Sequence, residues 1–532
     1  MTTVGEALVK ALEVRGVRVV FGIPGVHTVE LYRGLAGSSI RHVTPRHEQG
    51  AGFMADGYAR VSGQPGVAFV ITGPGLTNTL TPMGQARADS VPMLVLSGVN
   101  QRDTLGKGLG HLHELPDQRG MTALVALSSE RVEAPAALGP ALDRAFAGFA
   151  SGRPGPRHIE VPTDVMGLRA LPAAPQALPA PTLPAPDLIA DAAARLARAS
   201  TPLILAGGGA KRAGEALRQL AEALDAPVVQ TVNARGLMHG HPLTVPASPS
   251  LEPVRDLIRA ADTVLAIGTE FGPTDYDMYG GGGLPWPKEL IRVEIDPAQL
   301  ARHPADLALQ GHAEAILPAL VALLPGRRTT GGAARADAAR AGAWAALDEP
   351  MRAQIAILNA VRDSLPGSIF VGDSTQAIYA GNLYYDHDRP GGWFNAATGF
   401  GALGFAIPAA IGAAFAAPEA PVVCLAGDGG AQFTLAELMT AVDERLPIVF
   451  LIWNNRAYGE IASSMEAAGV SVIGCHPTPP DFEAVARSCA LPYRRAGMSP
   501  ADVAEAIGEL KPAAGPVMIE IDAGGWAQQP SL

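Results

Sequence analysis

Cysteine, charge and aromatic residues are all scarce in this chain. Cys424, Cys475 and Cys489 are the only three cysteines, too few for a disulfide framework and not paired at metal-ligand spacing. Charged residues make up 17% of the sequence, and no Lys/Arg cluster stands out. With a net charge of −11 the chain has no general attraction for nucleic acid or an anionic membrane. No uninterrupted apolar run approaches the ~20 residues that a membrane span needs. The opening "MTTVGEALVKALEVRGVRVVFG" reads as an amphipathic helix leading into a strand, without the basic-then-apolar order of a signal peptide. A cytoplasmic protein that binds neither nucleic acid nor membrane is the expectation.

Apolar residues are plentiful at 48%, with 61 glycines and 46 prolines. Such a composition describes a well-buried globular protein, and 532 residues exceed what one core organises. Two stretches look like linkers. Residues 170–187, "ALPAAPQALPAPTLPAPD", should be stiff and extended, and residues 326–343, "GRRTTGGAARADAARAGA", are small, polar and charged. They divide the chain into 1–168, 188–325 and 345–532. Each part alternates short Val/Ile/Leu runs ending in Gly, Asp or Asn with stretches of helical periodicity. Unbroken apolar runs suit parallel strands buried on both faces, so three doubly wound α/β parallel-sheet domains are predicted.

Residues 427–455, "GDGGAQFTLAELMTAVDERLPIVFLIWNN", carry the strongest chemical signal. The strand "PVVCLAGDG" runs off its carboxyl end at Asp428, and "PIVFLIWNN" ends at Asn454 and Asn455. One strand–helix–strand unit puts both ends on the same sheet edge, where open α/β folds bind ligands. A carboxylate beside an amide oxygen suits Mg²⁺, which shares its shell with phosphate and water. Gly427, Gly429 and Gly430 let backbone N–H groups approach a phosphate.

This stretch matches the GDG-x(24)-NN pattern, and the whole chain resembles the thiamine-diphosphate enzymes of the acetolactate synthase, benzoylformate decarboxylase and pyruvate decarboxylase group. The resemblance implies pyrimidine-binding, central and diphosphate-binding domains in that order. It implies that Asp428, Asn455 and the Ala457 carbonyl hold Mg²⁺ against the diphosphate. "TPRHEQGAGFMADGYAR" (44–60) looks like the family's segment whose glutamate, here Glu48, hydrogen-bonds the aminopyrimidine and starts general-base catalysis through it. In "GFGALGFAIPAAIG" (399–412), Gly401 and Leu403 correspond to the turn and bulky side chain over which the cofactor bends. Ser374, Thr375 and Gln376 in "VGDSTQ" are candidate diphosphate contacts. Because Glu48 and Asp428 lie in different domains, the resemblance implies a homodimer or homotetramer with sites between subunits.

The cofactor residues do not choose between protonating the decarboxylated product to an aldehyde and joining it to a second carbonyl. The pocket does. Its candidates are Val26, His27, Thr72, His113, Glu114, Tyr458 and Glu460, with His113 and Glu460 as candidate acid/base groups. Glu460 follows Asn455 by five positions, where related enzymes carry an apolar side chain. A carboxylate there asks for a cationic partner. Together with "TDYD" (274–277), these residues look most like the 5-guanidino-2-oxopentanoate (2-ketoarginine) decarboxylases, with Glu460, Glu114 or the Asp275/Asp277 pair meeting the guanidinium.

Three other readings compete. An acetolactate synthase would bind FAD in its central domain, and the sequence carries no signal for FAD. A nicotinamide dehydrogenase is suggested by "LILAGGGAKRAG" (203–214), but the third glycine is displaced and the next strand lacks a ribose-binding acid. A non-catalytic scaffold is at odds with Glu48, Asp428 and Asn455 all being present.

Overall fold

The computed structural model describes residues 2–524 apart from positions 173 and 279. Its three six-stranded sheets are parallel throughout. The first sheet has the order Arg41–Val43, Val19–Gly22, Gly66–Val70, Met93–Val99, Pro156–Pro162 and Ser128–Arg131. The second runs Thr244–Val245, Val228–Gln230, Pro202–Ala206, Thr263–Ile267, Leu290–Glu294 and Leu307–Gln310. The third runs Trp393–Asn395, Ile369–Gly372, Val422–Gly427, Ile448–Asn454, Val517–Asp522 and Tyr493–Ala496. Inner strands such as Pro202–Ala206, Val422–Gly427 and Ile448–Asn454 are buried end to end, as their unbroken apolar runs predict.

Pro156–Pro162 is an inner strand that its sequence disguises, because it carries Arg157, His158 and Glu160. Each of the two buried polar side chains has partners. His158 lies between Ser97 Oγ and Ser129 Oγ at 2.8 Å each, and Glu160 accepts from Gln118 Nε2 at 3.0 Å and Arg131 Nε at 2.5 Å. Burial pushes the His158 imidazole down to about 3 and so keeps it neutral.

Residues 171–185 carry no helix or strand among those described, as the Pro/Ala composition suggests. The second proposed linker is different. Gly332–Ala345 is a helix that packs against the Glu252–Ala260 helix of the second sheet. Ala336, Ala339 and Ala343 form its buried stripe, which a reading keyed to larger apolar residues passes over.

The first and third sheets share one core. Its centre is the contact between the Glu48–Ser62 helix and the Ala406–Ala416 helix. At Gly57 an added Cβ would lie 2.0 Å from the Ala409 carbonyl oxygen, and at Gly412 it would lie 1.9 Å from that of Met54. The helices therefore touch backbone to backbone. At the end of this contact Arg60 binds Asp56 (2.5 Å) and Asp89 (2.7 Å), with its guanidinium carbon 5.4 Å from the ring centres of both Phe394 and Phe405. Gly412→Ala should therefore force the helices apart and destabilise by about 1–3 kcal/mol. Thermal unfolding would read this as a melting temperature lower by several degrees, and an unchanged curve would show that the helices separate freely.

Candidate active site

The third sheet sets out its part of the site as the strand order requires. Val422–Gly427 and Ile448–Asn454 are neighbours, with Gly427 opposite Trp453, so Asp428 and Asn455 leave the same edge side by side. Asn454 turns inward, donating to Glu520 Oε1 at 2.7 Å and accepting from the Arg456 amide at 3.2 Å. Arg456 takes φ +59°, which throws the chain across the sheet edge. Asn455 Nδ2 donates to Gln376 Oε1 at 3.2 Å, and its Oδ1 accepts from the Ala457 amide at 3.1 Å. The Tyr458 ring closes over Gly429, where an added Cβ would lie 2.4 Å from Cε1. Asp428, Gly427, Gly429, Gly430, Asn455, Ala457, Tyr458 and Gln376 are thus one cluster, with Thr375 Oγ1 3.0 Å from the Cβ position of Gly427.

Asp428 is 1% exposed, and its Oδ2 has no hydrogen-bond partner. Burial pushes its carboxyl up to about 6, against the opposing pull of nearby backbone N–H groups, Asn455's first. A buried carboxylate oxygen without a donor calls for a cation. Among the described residues no group of three His, Cys, Asp or Glu side chains is placed to hold a metal unaided. One carboxylate, one amide oxygen and one carbonyl fit an octahedral ion that completes its shell from phosphate and water. The residues present therefore fit the implied Mg²⁺–diphosphate pair.

Beside this cluster lies Asp373, which the sequence reading passed over within "VGDSTQ". Its carboxylate accepts from the amides of Ser374 (2.9 Å), Gly404 (2.8 Å) and Ala406 (3.5 Å). It thereby fixes the loop of Leu403 to the end of the Ile369–Gly372 strand. Gly401 and Gly404 have φ of +75° and +83°, and Leu403 between them is half-buried.

The first sheet presents Glu48 as the first residue of its helix, with the His47 ring accepting from the Gln49 amide at 3.1 Å. Glu48 is half-buried, and its Oε2 accepts from Asn78 Nδ2 at 2.9 Å. Asn78, in "GPGLTN", is a residue to which the sequence alone assigns no role. No hydrogen bond or ion pair among the described residues joins Glu48 to the Asp428 cluster of the same chain. Along the same edge, His27 Nδ1 lies 2.9 Å from Thr72 Oγ1, and the His27 and His113 rings meet edge to face at 5.5 Å. Burial, then the neighbouring His113, hold the His27 imidazole below its ordinary range. Val26 is 67% exposed beside them.

The acids proposed to meet a guanidinium separate clearly. Glu114 caps its own loop, accepting from the amides of Leu109, Gly110 and His111 at 2.8–3.2 Å, so it is not free. Asp275 is half-buried in the central domain, where it accepts from the Val232 amide at 3.2 Å with the Arg235 charge nearby. Asp277 accepts from the Gly283 amide at 2.7 Å and lies 3.6 Å from Arg255. Of these acids Glu460 alone has a carboxylate with neither a hydrogen-bond donor nor a cation on it among the described residues; it is exposed, and desolvation by its neighbours holds the carboxyl above the ordinary range. Nearby, burial first and the Glu460 charge second push the Tyr379 hydroxyl up to about 12, against a hydrogen bond with Ser374.

Three parallel-sheet domains, with a buried, unpartnered carboxylate at the edge of the third and a glutamate opening a helix of the first, have the layout of a thiamine pyrophosphate enzyme. The comparisons agree, and the chain belongs to that family. Residues 2–121 match its N-terminal TPP-binding domain, residues 189–320 its central domain and residues 373–521 its C-terminal TPP-binding domain. The chain is 47% identical over 500 residues to a probable 2-ketoarginine decarboxylase of Pseudomonas aeruginosa, covering 92% of this chain and 89% of that protein. It is 32% identical over 488 residues to an acetolactate synthase of Mycobacterium bovis, covering 86% and 77%. To the acetolactate synthase isozyme 1 large subunit of Escherichia coli it is 30% identical over 487 residues, covering 86% and 82%.

Asp428→Asn removes an uncompensated buried charge. Without cofactor or metal the variant should melt no lower than the parent protein, and by up to several degrees higher. A clear loss of stability would mean that the carboxylate has a protein partner.

Proposed function

We propose that the protein decarboxylates a 2-oxo acid without oxidation, using thiamine diphosphate and Mg²⁺, and that the substrate is 5-guanidino-2-oxopentanoate. The observation that carries the substrate is the Glu460 carboxylate, exposed and without an ion-pair partner among the described residues, next to Gly459, whose Cβ position lies 3.2 Å from Asn455 Nδ2. A guanidinium is a planar, permanent cation that such a carboxylate binds by two parallel charge-assisted hydrogen bonds. The name of the Pseudomonas aeruginosa relative points to the same chemistry.

In this reading thiamine diphosphate, when bound, supplies the electron sink that lets a 2-oxo acid lose CO₂. The chain's own residues do the rest. Asp428, Asn455 Oδ1 and the Ala457 carbonyl hold Mg²⁺, while Ser374, Thr375, Gln376 and the Gly427–Gly430 backbone receive the diphosphate. Leu403 supports the bend. Glu48 exchanges a proton with the aminopyrimidine, and Asn78 leaves its second oxygen free to do so. His113, steadied by His27 and Thr72, returns a proton to the product carbon. Tyr458 and Val26 line the approach.

We place Glu48 against the Asp428 cluster of a second copy, in a homodimer or homotetramer. Apolar side chains left exposed on a single chain support this, among them Leu112 (60%), Phe433 (55%) and Ile473 (75%). No helix of the described residues is long and apolar enough to cross a membrane, and we assign the protein to the cytoplasm.

A panel of 2-oxo acids, scored for CO₂ and product, should show turnover of 5-guanidino-2-oxopentanoate to the aldehyde far above that of pyruvate. The acetolactate synthase relatives make carboligation the second reading. Acetolactate as the main product, or a flavin absorbance in the purified protein, would establish that reading instead. Glu460→Gln should raise KM for the guanidino substrate tenfold or more, at about 1.4 kcal/mol per tenfold, and leave pyruvate unaffected.

Glu48→Gln should keep the fold and cofactor binding and lose about 100- to 10,000-fold in turnover. Co-expressing it with Asp428→Asn should recover about one quarter of the parent activity, because random pairing gives half mixed dimers with one intact site each. No recovery at all would place both residues in sites built within one chain.

A further inference from the structure

Glu437 lies in the middle of the stretch that carries the metal-site residues, yet it points away from them. It ends the short turn Leu435–Glu437 and is 1% exposed. Its carboxylate reaches into the first domain, immediately ahead of Glu48. Oε1 accepts from the Arg46 amide at 2.9 Å and the His47 amide at 3.0 Å. Oε2 accepts from the Arg46 amide at 3.1 Å and from Thr440 Oγ1 at 2.8 Å. A Cβ on Gly50 would lie 2.2 Å from Oε1, so the carboxylate occupies the space over the first helical turn that any side chain at position 50 would take. The Arg46 side chain is tied to the same turn, donating to Thr440 Oγ1 at 3.4 Å and pairing with Asp443.

We propose that Glu437 is a positioning residue for Glu48, clamping from the third domain the two backbone amides that precede it. The inference rests on the proposed role of Glu48. A helix-opening residue inherits the uncertainty of the loop before it. Two adjacent amides fixed on one buried carboxylate remove that freedom in the main chain. Asn78 removes it at the side chain. Glu48 is then held from both ends, by groups of two domains. A stability role alone would not need this placement, because the Gly57–Gly412 contact already joins the domains nearby.

The test uses the full chain with thiamine diphosphate and Mg²⁺, and reads two quantities. Hydrogen exchange of the peptide holding Arg46 and His47, measured without cofactor, reports the clamp itself. Single-turnover decarboxylation reports its effect. Glu437→Ala should speed exchange at those amides at least about 10-fold and slow turnover about 100-fold, the scale of a 1 Å misplacement. Glu437→Gln keeps an oxygen for both amides and should restore both readouts to near the parent values. Gly50→Ala displaces the carboxylate without removing it and should reproduce the alanine effect, which also covers a Glu437→Ala chain that fails to fold. In the Glu48→Gln background the further loss from Glu437→Ala should vanish, because two residues acting through one group are not additive.

An equal loss in both backgrounds, or parent turnover with the amides exchanging freely, would overturn the proposal. Failure of the Glu48 role is a separate result: Glu48→Gln alone would then turn over like the parent protein.

Discussion

At Gly57 and Gly412, two helices from opposite ends of the chain come so close that a carbonyl oxygen of each fills the place of the other's missing side chain. One helix opens with Glu48 and the other follows the Leu403 loop, so the contact fixes the N-terminal and C-terminal domains relative to each other. Because the contact is backbone on backbone, it has almost no play, and packed interiors transmit displacement instead of absorbing it. Arg60 locks its far end between two carboxylates and two rings. Glu437 secures the near end. Glu48 and the Asp428 cluster of one chain are therefore carried on a single rigid body, although they come from segments more than 300 positions apart in sequence.

How much of this could be read beforehand depended on the kind of signal. Inner parallel strands announce themselves as unbroken apolar runs, and Val422–Gly427 and Ile448–Asn454 lie where those runs are. Edge strands such as Arg41–Val43 and Tyr493–Ala496 are short and half-exposed, and carry no such run. Pro156–Pro162 was hidden for the opposite reason: its polar side chains are buried and satisfied by residues remote in sequence. The Gly332–Ala345 helix was mistaken for a linker because alanine packs well without looking hydrophobic.

The site divides along the same line. Asp428 and Asn455 were legible because one strand–helix–strand unit places both. Asn78 and Glu437 were not, since each matters only through a partner in another element, Glu48 for the first and the Arg46–His47 backbone for the second. Glu114 shows the reverse error. Its position in the chain suggested a substrate-facing acid, but the glycine-rich loop around it offers three amides, and a carboxylate takes such donors first.

Asp373 and Asp428 sharpen what separates a structural acid from a ligand-binding one. Both are 1% exposed, both leave the carboxyl edge of the third sheet, and burial pushes both carboxyls up to about 6. By burial and titration they are indistinguishable. They differ in what their oxygens touch. Asp373 holds amides with both oxygens and spends its charge on fixing the Leu403 loop, so nothing remains for an ion. Asp428 Oδ2 touches no donor, although amides of the surrounding turn lie near enough to lower its pKa. Of those amides Arg456's, at a residue with φ +59°, is taken by Asn454 Oδ1 at 3.2 Å, and Oδ2 stays buried without a donor. Folding thus retains an electrostatic penalty that neutral packing would have avoided, and a cation is the kind of partner that would relieve it.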